Sequence, residues 1–294
     1  MNNGRRSKEK VPVLAICYDF DKTLSPYDMQ AQGYIQSLGY DVPEFWEQSN
    51  RVAFANEMDR NRSYMSKMVR EARGRLIFNR KTLMEYGARV SLFPGVTEWF
   101  ARARNYGEEQ GVKVEHYIIS SGLKEMIEGT AIAGEFEKIY ASSFYYDETG
   151  VAVWPAQVIN YTTKTQLLFR IEKGTLDVND PEVNRWFPES EMRVPFRNMV
   201  YIGDSETDIP CMKLVNVNGG HAIGVYDPET GNTDRVRQMM RENRIKYFAP
   251  ADYTPGSQLD TLIRTIIRAT REREALESWH DRNAWEADVK PSGT

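Results

Sequence analysis

Cysteine and histidine are scarce in this chain: its 294 residues include two Cys and three His. Cys17 lies inside an apolar run and Cys211 follows "GDSETDIP", an arrangement that gives neither a disulfide framework nor a cysteine zinc site. His116, His221 and His280 are scattered and show no metal-ligand spacing and no triad. Long apolar runs are also missing, since no stretch reaches the roughly 18 residues of a membrane span. No charge sign dominates, because 38 Lys and Arg face 42 Asp and Glu for a net charge of −4. Bulk charge therefore gives no reason to expect nucleic acid or a membrane surface as partner. The opening "MNNGRRSKEK" is polar and basic and lacks the apolar region and cleavage site of a signal peptide. Together these absences predict a cytoplasmic protein that must hold any anionic ligand locally; they leave its oligomeric state open.

What is present is a set of buried strands that end on polar residues. "VPVLAICYD" (11–19), "VKVEHYIIS" (112–120) and "NMVYIGD" (198–204) are rich in apolar residues rather than alternating, the habit of a parallel sheet covered on both faces. In open α/β sheets ligands bind beyond the carboxyl ends of the strands, so these three ends can converge on one site.

Between the first two strands lie about ninety residues with helical patterns and no strand signal. That is too long for one crossover helix and too patterned for a loop. The reading is a doubly wound, Rossmann-like α/β core, residues 11–25 and 91–255, with an all-helical cap, residues 26–90, inserted over its carboxyl edge. Residues 1–10 are expected to form a flexible arm and 256–294 a charged outer helix and tail. "DETG" (147–150) signals a hairpin leading into "VAVW". A helix is expected over 123–130 and another over 163–172, and 173–197, rich in Pro and charge, reads as a surface excursion.

The chemistry starts at "DFDKT". Asp19 and Asp21 stand at i and i+2, so both would face one side if the strand continued. At about 4 Å and an effective dielectric near 20, two such charges repel by roughly 4 kcal/mol. Either a cation joins them or one acid keeps a proton. "GDSETD" offers Asp204 at a strand end and Asp208 one helical turn later. Four carboxylates without His or Cys form a hard oxygen site suited to Mg²⁺. Such a metal draws in an anion, and phosphate fits the remaining residues. Ser120 or Ser121, with the N–H groups ahead of the 123–130 helix, supplies neutral donors, and Lys164 supplies positive charge.

These residues resemble a known family. "DFDKTL" matches the D-x-D-x-T signature of the haloacid dehalogenase-like phosphatases, and three further motifs follow in order: Ser120, Lys164, then Asp204 with Asp208. The spacing resembles the phosphoserine phosphatase-like branch, with a helical cap between the first two motifs. The resemblance implies a two-step transfer. In it Asp19 is the nucleophile that forms an aspartyl-phosphate, and Asp21 is the acid and then the base. It further implies Mg²⁺ held by Asp19, Asp21 through its backbone carbonyl, and Asp204, with Asp208 on a metal-bound water or on Lys164. Thr23, Ser120, Ser121 and Gly122 would cradle the phosphate, Thr23 also holding the loop after the nucleophile. The "SSG" sequence leaves Ser120 and Ser121 in competition, and Lys173 stands as the alternative to Lys164. Lys22 is open between a solvated side chain and a contact to the cap. The expected substrate is a small phosphorylated metabolite, with no nucleic acid partner. A phosphotransferase, or an inactive member that only binds a phosphometabolite or partner, is the other reading.

Overall fold

The computed structural model describes residues 4–288, and its centre is strand β1 (Val13–Tyr18), all six residues of which are buried. Alternate side chains of β1 serve different cores, as the period-2 geometry of a strand requires. Leu14, Ile16 and Tyr18 join one apolar cluster, and Val13, Ala15 and Cys17 join a second on the opposite face. That two-sided burial explains why the run is continuous rather than alternating.

A helical insertion follows: α1 (Tyr34–Ser37), α2 (Val42–Ala55), α3 (Arg60–Ala72) and α4 (Arg80–Gly87). Pro43 stands in the first turn of α2, where its missing N–H costs nothing. Asp59 caps α3 by accepting from the N–H groups of Asn61 and Arg62 at 2.9 and 3.1 Å. The chain returns through α5 (Val96–Glu109), β2 (Lys113–Leu123), α6 (Lys124–Gly129), β3 (Lys138–Tyr146) and β4 (Ala152–Gln157). It closes with α7 (Thr163–Lys173), β5 (Met199–Gly203), α8 (Ile209–Val217), β6 (His221–Tyr226), α9 (Asp234–Arg241), β7 (Tyr247–Pro250) and α10 (Gln258–Asp288).

The seven strands run in the order β4-β3-β2-β1-β5-β6-β7. All neighbours are parallel except β3 and β4, the hairpin signalled by "DETG". The order reverses at β1, between β2 on one side and β5 on the other, so the crevice beyond these three strand ends is the switch point of the sheet. Tyr18 pairs with Ile118 of β2 and Ile202 of β5, which brings the residues that follow each strand to one edge.

Three expectations need correction. Strand β2 does not stop at Ser120 but runs to Leu123, which shortens the next helix to Lys124–Gly129. The described part of the arm is tied down rather than loose. Arg6 N–H donates to the Gly174 carbonyl at 2.9 Å, and Glu9 pairs with Lys113 and Arg193. Residues 1–3 lie outside the described residues. The 173–197 excursion is anchored as well: Phe187, Arg193, Val194 and Phe196 are buried, and the Arg170 guanidinium donates to the carbonyls of Asp177, Val178 and Asp180. Charge in a segment predicts exposure only until that charge finds a buried partner. No helix among the described residues is long and apolar enough to cross a membrane.

Candidate active site

Chain geometry separates the two acids of "DFD". Strand β1 ends at Tyr18, and Lys22 takes the left-handed backbone conformation with φ 58°. The i, i+2 rule therefore lapses, and the carboxylates of Asp19 and Asp21 enter different surroundings. Asp19, Asp204 and Asp208 have carboxylate oxygens that all lie within 4.8 Å of one another. The Asp21 side chain stands outside that set. Its Oδ1 accepts from the Met29 N–H at 2.8 Å, and its Oδ2 lies beside Gly122, where an added Cβ would come within 3.2 Å of it.

A single lysine enters the acid cluster. Lys164, fully buried in the first turn of α7, places its Nζ 2.7 Å from Asp208 Oδ1 and 3.2 Å from Asp19 Oδ1. Lys173, the alternative, is engaged elsewhere, donating to the carbonyls of Val183 and Arg185. Asp208 is filled with donors: Oδ1 takes Lys164 and the Tyr201 hydroxyl at 2.8 Å, and Oδ2 takes the N–H and hydroxyl of Ser205 at 3.3 and 3.1 Å. Its carboxylate folds under Gly203, where any Cβ would meet Asp208 Oδ2 at 2.6 Å.

The second strand contributes through a bulge. Ile119 faces Tyr140 and Leu123 faces Ser142, so four steps on β2 span two on β3. The surplus pushes Ser120, Ser121 and Gly122 out of the ladder. Ser120 is buried, and its Oγ accepts from the Gly122 N–H at 3.0 Å. Ser121 turns its carbonyl to the hydroxyls of Tyr64, on α3, at 2.8 Å and Ser142 at 3.2 Å. Ser120 thus places its hydroxyl in the turn, while Ser121 serves as its backbone anchor. Thr23 is buried, its carbonyl held by the Tyr253 hydroxyl at 2.8 Å and its Oγ1 without a partner among the described residues. Lys22 is half-exposed and reaches Asp28, in the segment between β1 and α1, at 3.0 Å.

Burial pushes the Asp19 carboxyl up to about 6, Lys164 pulling it down and Asp208 pushing it up. Asp204 rises well above the ordinary carboxylate range from burial and from Asp208 and Asp19. Asp21 rises likewise from burial, Asp28 and Asp19. Burial works against the charge of Lys164, yet Asp19 and Asp208 overcome it and hold the ammonium charged. One buried lysine and the exposed Arg235, 4.0 Å from Asp204, do not neutralise three acids. Asp19 Oδ1, buried, makes its ion pair without a hydrogen bond. An all-oxygen set with an underused buried oxygen fits a hard divalent cation such as Mg²⁺.

Tyr201 and Tyr253 escaped the sequence reading, and Tyr64 reads from sequence as a helix-packing residue of the insertion. Tyr201 sits in a buried strand, Tyr64 in an amphipathic helix and Tyr253 after β7, and all three hydroxyls reach groups around the site. The available signal was chemical, since a buried Tyr hydroxyl needs a partner.

Fold and site together define a doubly wound α/β protein with an acidic, oxygen-donor centre at its switch point. The chain belongs to the haloacid dehalogenase-like hydrolase family, whose model matches residues 16–213. An uncharacterized protein of Borreliella burgdorferi is 27% identical over 277 residues, covering 85% of this chain and 95% of that relative. Two solved structures share the fold. A haloacid dehalogenase family hydrolase from Salmonella enterica serovar Typhi has a TM-score of 0.55 at 16% identity, over 88% of this chain and 73% of that one. A probable phosphoserine phosphatase from Vibrio cholerae has a TM-score of 0.55 at 14% identity, over 90% and 68%.

Proposed function

We propose that this protein is a Mg²⁺-dependent phosphatase that hydrolyses a small phosphomonoester through an aspartyl-phosphate. The observation that carries the reading is the division of labour among the acids: a three-carboxylate cluster with one buried lysine, and Asp21 held apart by Met29. Family membership supports a hydrolase, and the fold shared with the probable phosphoserine phosphatase of Vibrio cholerae supports phosphate as the group transferred.

Asp19 and Asp204 would hold the cation, with Asp208 committed to Lys164, Tyr201 and Ser205. When bound, the metal supplies the positive charge that lets a phosphate dianion approach a carboxylate. The chain's own residues do the rest. Lys164 and the Ser120 hydroxyl would neutralise and orient the phosphoryl oxygens, with the Ser120 hydroxyl oxygen held in the bulge by the Gly122 N–H. A carboxylate oxygen of Asp19 attacks phosphorus, and the bond to the alcohol oxygen breaks. Asp21, whose affinity for a proton is raised by burial, would give a proton to the leaving alcohol. The resulting Asp21 carboxylate then takes a proton from water, which attacks phosphorus and frees Asp19. Burial of Asp19, Ser120 and Lys164 supports a small metabolite rather than a macromolecule as substrate.

The test is hydrolysis of p-nitrophenyl phosphate by the purified chain. Activity should require Mg²⁺, disappear with chelator and disappear in Asp19→Asn, and the wild-type chain should yield a hydroxylamine-sensitive phosphoenzyme. No turnover of a broad phosphomonoester panel, with metal bound and the fold intact, would sink the reading.

A further inference from the structure

We infer that Met29 is a positioning residue for the proton transfer to the leaving group: it holds the Asp21 carboxyl by Oδ1 and leaves Oδ2 as the atom that carries the proton. This rests on the phosphatase reading and adds to it the device that aims the acid. Met29 is fully buried and opens a short 3-10 turn, Met29–Ala31, in the segment between β1 and α1. From there it reaches both sides of the site. Its N–H donates to Asp21 Oδ1 at 2.8 Å, on the loop after β1, and its Sδ accepts from the Leu123 N–H at 3.2 Å, at the far end of the β2 bulge. Its methyl group fills the space that Gly122 leaves open. A Cβ on Gly122 would strike Met29 Cε and would meet Met29 Sδ at 3.1 Å and Asp21 Oδ2 at 3.2 Å. The preceding residue adds a second tie, since Asp28 pairs with Lys22 at 3.0 Å. Residues 28 and 29 thus fasten residues 22 and 21.

These contacts divide the two oxygens of the acid. In a protonated carboxyl one oxygen donates and the other accepts, and an N–H can only be met by the acceptor. Met29 therefore makes Oδ1 the carbonyl oxygen and Oδ2 the hydroxyl oxygen. Oδ2 lies beside Gly122, in the turn where Ser120 is held, and has no hydrogen-bond partner among the described residues. In the transfer the Oδ2–H bond breaks as the bond from phosphorus to the alcohol oxygen breaks. That oxygen keeps the electron pair and takes the proton. With Asp21 turned away from this pose the alcohol would have to depart as its anion. A methionine with contacts to the acid, the bulge and Gly122 at once fixes that pose from the side chain and the backbone together.

A residue that aims a general acid matters in proportion to the leaving group's need for a proton. p-Nitrophenolate departs readily as an anion, whereas phenolate, of similar shape, is more basic and gains more from protonation. The experiment measures kcat/KM, which covers departure of the alcohol, by phosphate release with Mg²⁺ for p-nitrophenyl phosphate and phenyl phosphate. Asp21→Asn gives the ratio of the two when the acid is lost. Met29→Ala removes the sulfur and methyl and keeps the N–H, and should raise the ratio of p-nitrophenyl to phenyl phosphate by about threefold or more over wild type. Met29→Pro removes the N–H as well and should raise it by about tenfold or more. Proline suits the first position of a turn, and Asp28 before it is already extended, with φ −62° and ψ 128°. Met29→Leu, which restores the bulk, should stay closer to wild type than Met29→Ala. Unfolded molecules turn over neither substrate, so the ratio does not depend on how much of a variant folds, and if Met29→Pro gives no folded protein the Ala and Leu variants decide. An unchanged ratio in the Met29 variants, with Asp21→Asn raising it, overturns the role of Met29 and leaves the phosphatase reading standing. An unchanged ratio in Asp21→Asn as well overturns the acid assignment on which Met29 acts. Hydrolysis of neither substrate by the wild-type chain overturns the phosphatase reading itself.

Discussion

Two clusters of buried charge occupy opposite edges of the same sheet, and they are built on opposite principles. At the amino edge Glu115 is held by the guanidinium of Arg193 in a two-point bond at 2.6 and 2.7 Å, by Lys113 at 3.1 Å and by the Tyr117 hydroxyl at 2.6 Å. Glu9 joins Arg193 and Lys113, so two carboxylates meet two cations. At the carboxyl edge three carboxylates meet one buried lysine, with the exposed Arg235 reaching Asp204 only at 4.0 Å. The titration of the two sites follows that count. Burial pushes Glu115 up, but Arg193, Tyr117 and Lys113 outweigh it and hold the carboxyl down at about 2. Burial pushes Asp19 up to about 6, and Lys164 does not outweigh it. A balanced cluster fastens chain segments, here the arm and the 173–197 segment to β2. An acid surplus stores a demand for a cation, which is what a functional centre needs.

The contrast is broken most sharply by removing one acid from each edge. Asp19→Asn should lower kcat by about 10⁴-fold or more, roughly 5.5 kcal/mol of barrier, because the amide is no nucleophile. Its metal-free Tm should hold or rise, since one member of a repelling set is neutralised. A fall in metal-free Tm would show that the carboxyl edge is held together by its charges rather than strained by them.

At the amino edge the signs invert. Arg193→Met removes the two-point partner of buried Glu115 and leaves it Lys113 and the Tyr117 hydroxyl, a loss of about 3 kcal/mol in stability, at the low end for a broken buried pair. The folded fraction should keep kcat within about twofold, because surface and structural substitutions distant from the chemistry act mainly on folding. Thermal unfolding and active-site-normalised kinetics check both halves. The same cluster sets a pH dependence. Glu115 titrates at about 2 in the folded chain, below its ordinary 4.5. Its contribution is therefore fully present above about pH 4.5 and is lost as pH falls toward 2. His116 acts in the same direction, burial holding its ring neutral down to about 3 against an ordinary 6.5. Glu115→Gln should be less stable than wild type near pH 6 and show a shallower loss of stability between pH 4.5 and 2. Parallel acid-unfolding curves would remove Glu115 from the account.

The amino-edge cluster was invisible in the sequence, while much of the carboxyl-edge centre was not. Strands β1, β2 and β5 announce themselves as apolar runs, and Asp19, Ser120 and Asp204 follow because the doubly wound fold brings their ends together. Lys164 was legible as a helix-start lysine with no apolar role. Arg193 and Glu115 are 78 positions apart, and nothing local distinguishes them from solvated charges. The shared face of Asp19 and Asp21 was conditional on the strand continuing, and the strand ends at Tyr18 before the turn at Lys22. The bulge at Ser120–Gly122 depends on the register of β3, a pairing that no residue of β2 encodes by itself.

A smaller effect sharpens the idea of a stored demand. Mg²⁺ at about 100 times its dissociation constant should stabilise the folded chain by about 2.7 kcal/mol. In a chain of this size that is a rise in Tm on the order of 5 °C. Asp204→Asn should abolish most of that rise, whereas Arg193→Met, destabilised at the other edge, should keep all of it. An equal Mg²⁺ shift in wild type and Asp204→Asn, read by differential scanning calorimetry, would place the cation elsewhere.

The smallest expected effect lies within the carboxyl edge. Tyr201 donates to the same Asp208 oxygen that Lys164 holds, at 2.8 and 2.7 Å, so the hydroxyl shares the task of fixing that carboxylate. Tyr201→Phe removes one hydrogen bond to a charged group, worth about 1.5–3 kcal/mol in a buried setting. Lys164 and Ser205 remain on Asp208, so the carboxylate is not orphaned and the loss in kcat should be about tenfold, far below that of Asp19→Asn. Because Tyr201 touches Asp208 rather than the substrate, KM for p-nitrophenyl phosphate should move less than kcat. A rise in KM with kcat unchanged would instead make Tyr201 part of substrate binding. An unchanged enzyme would mean that Lys164 and Ser205 keep Asp208 in place without the Tyr201 hydroxyl.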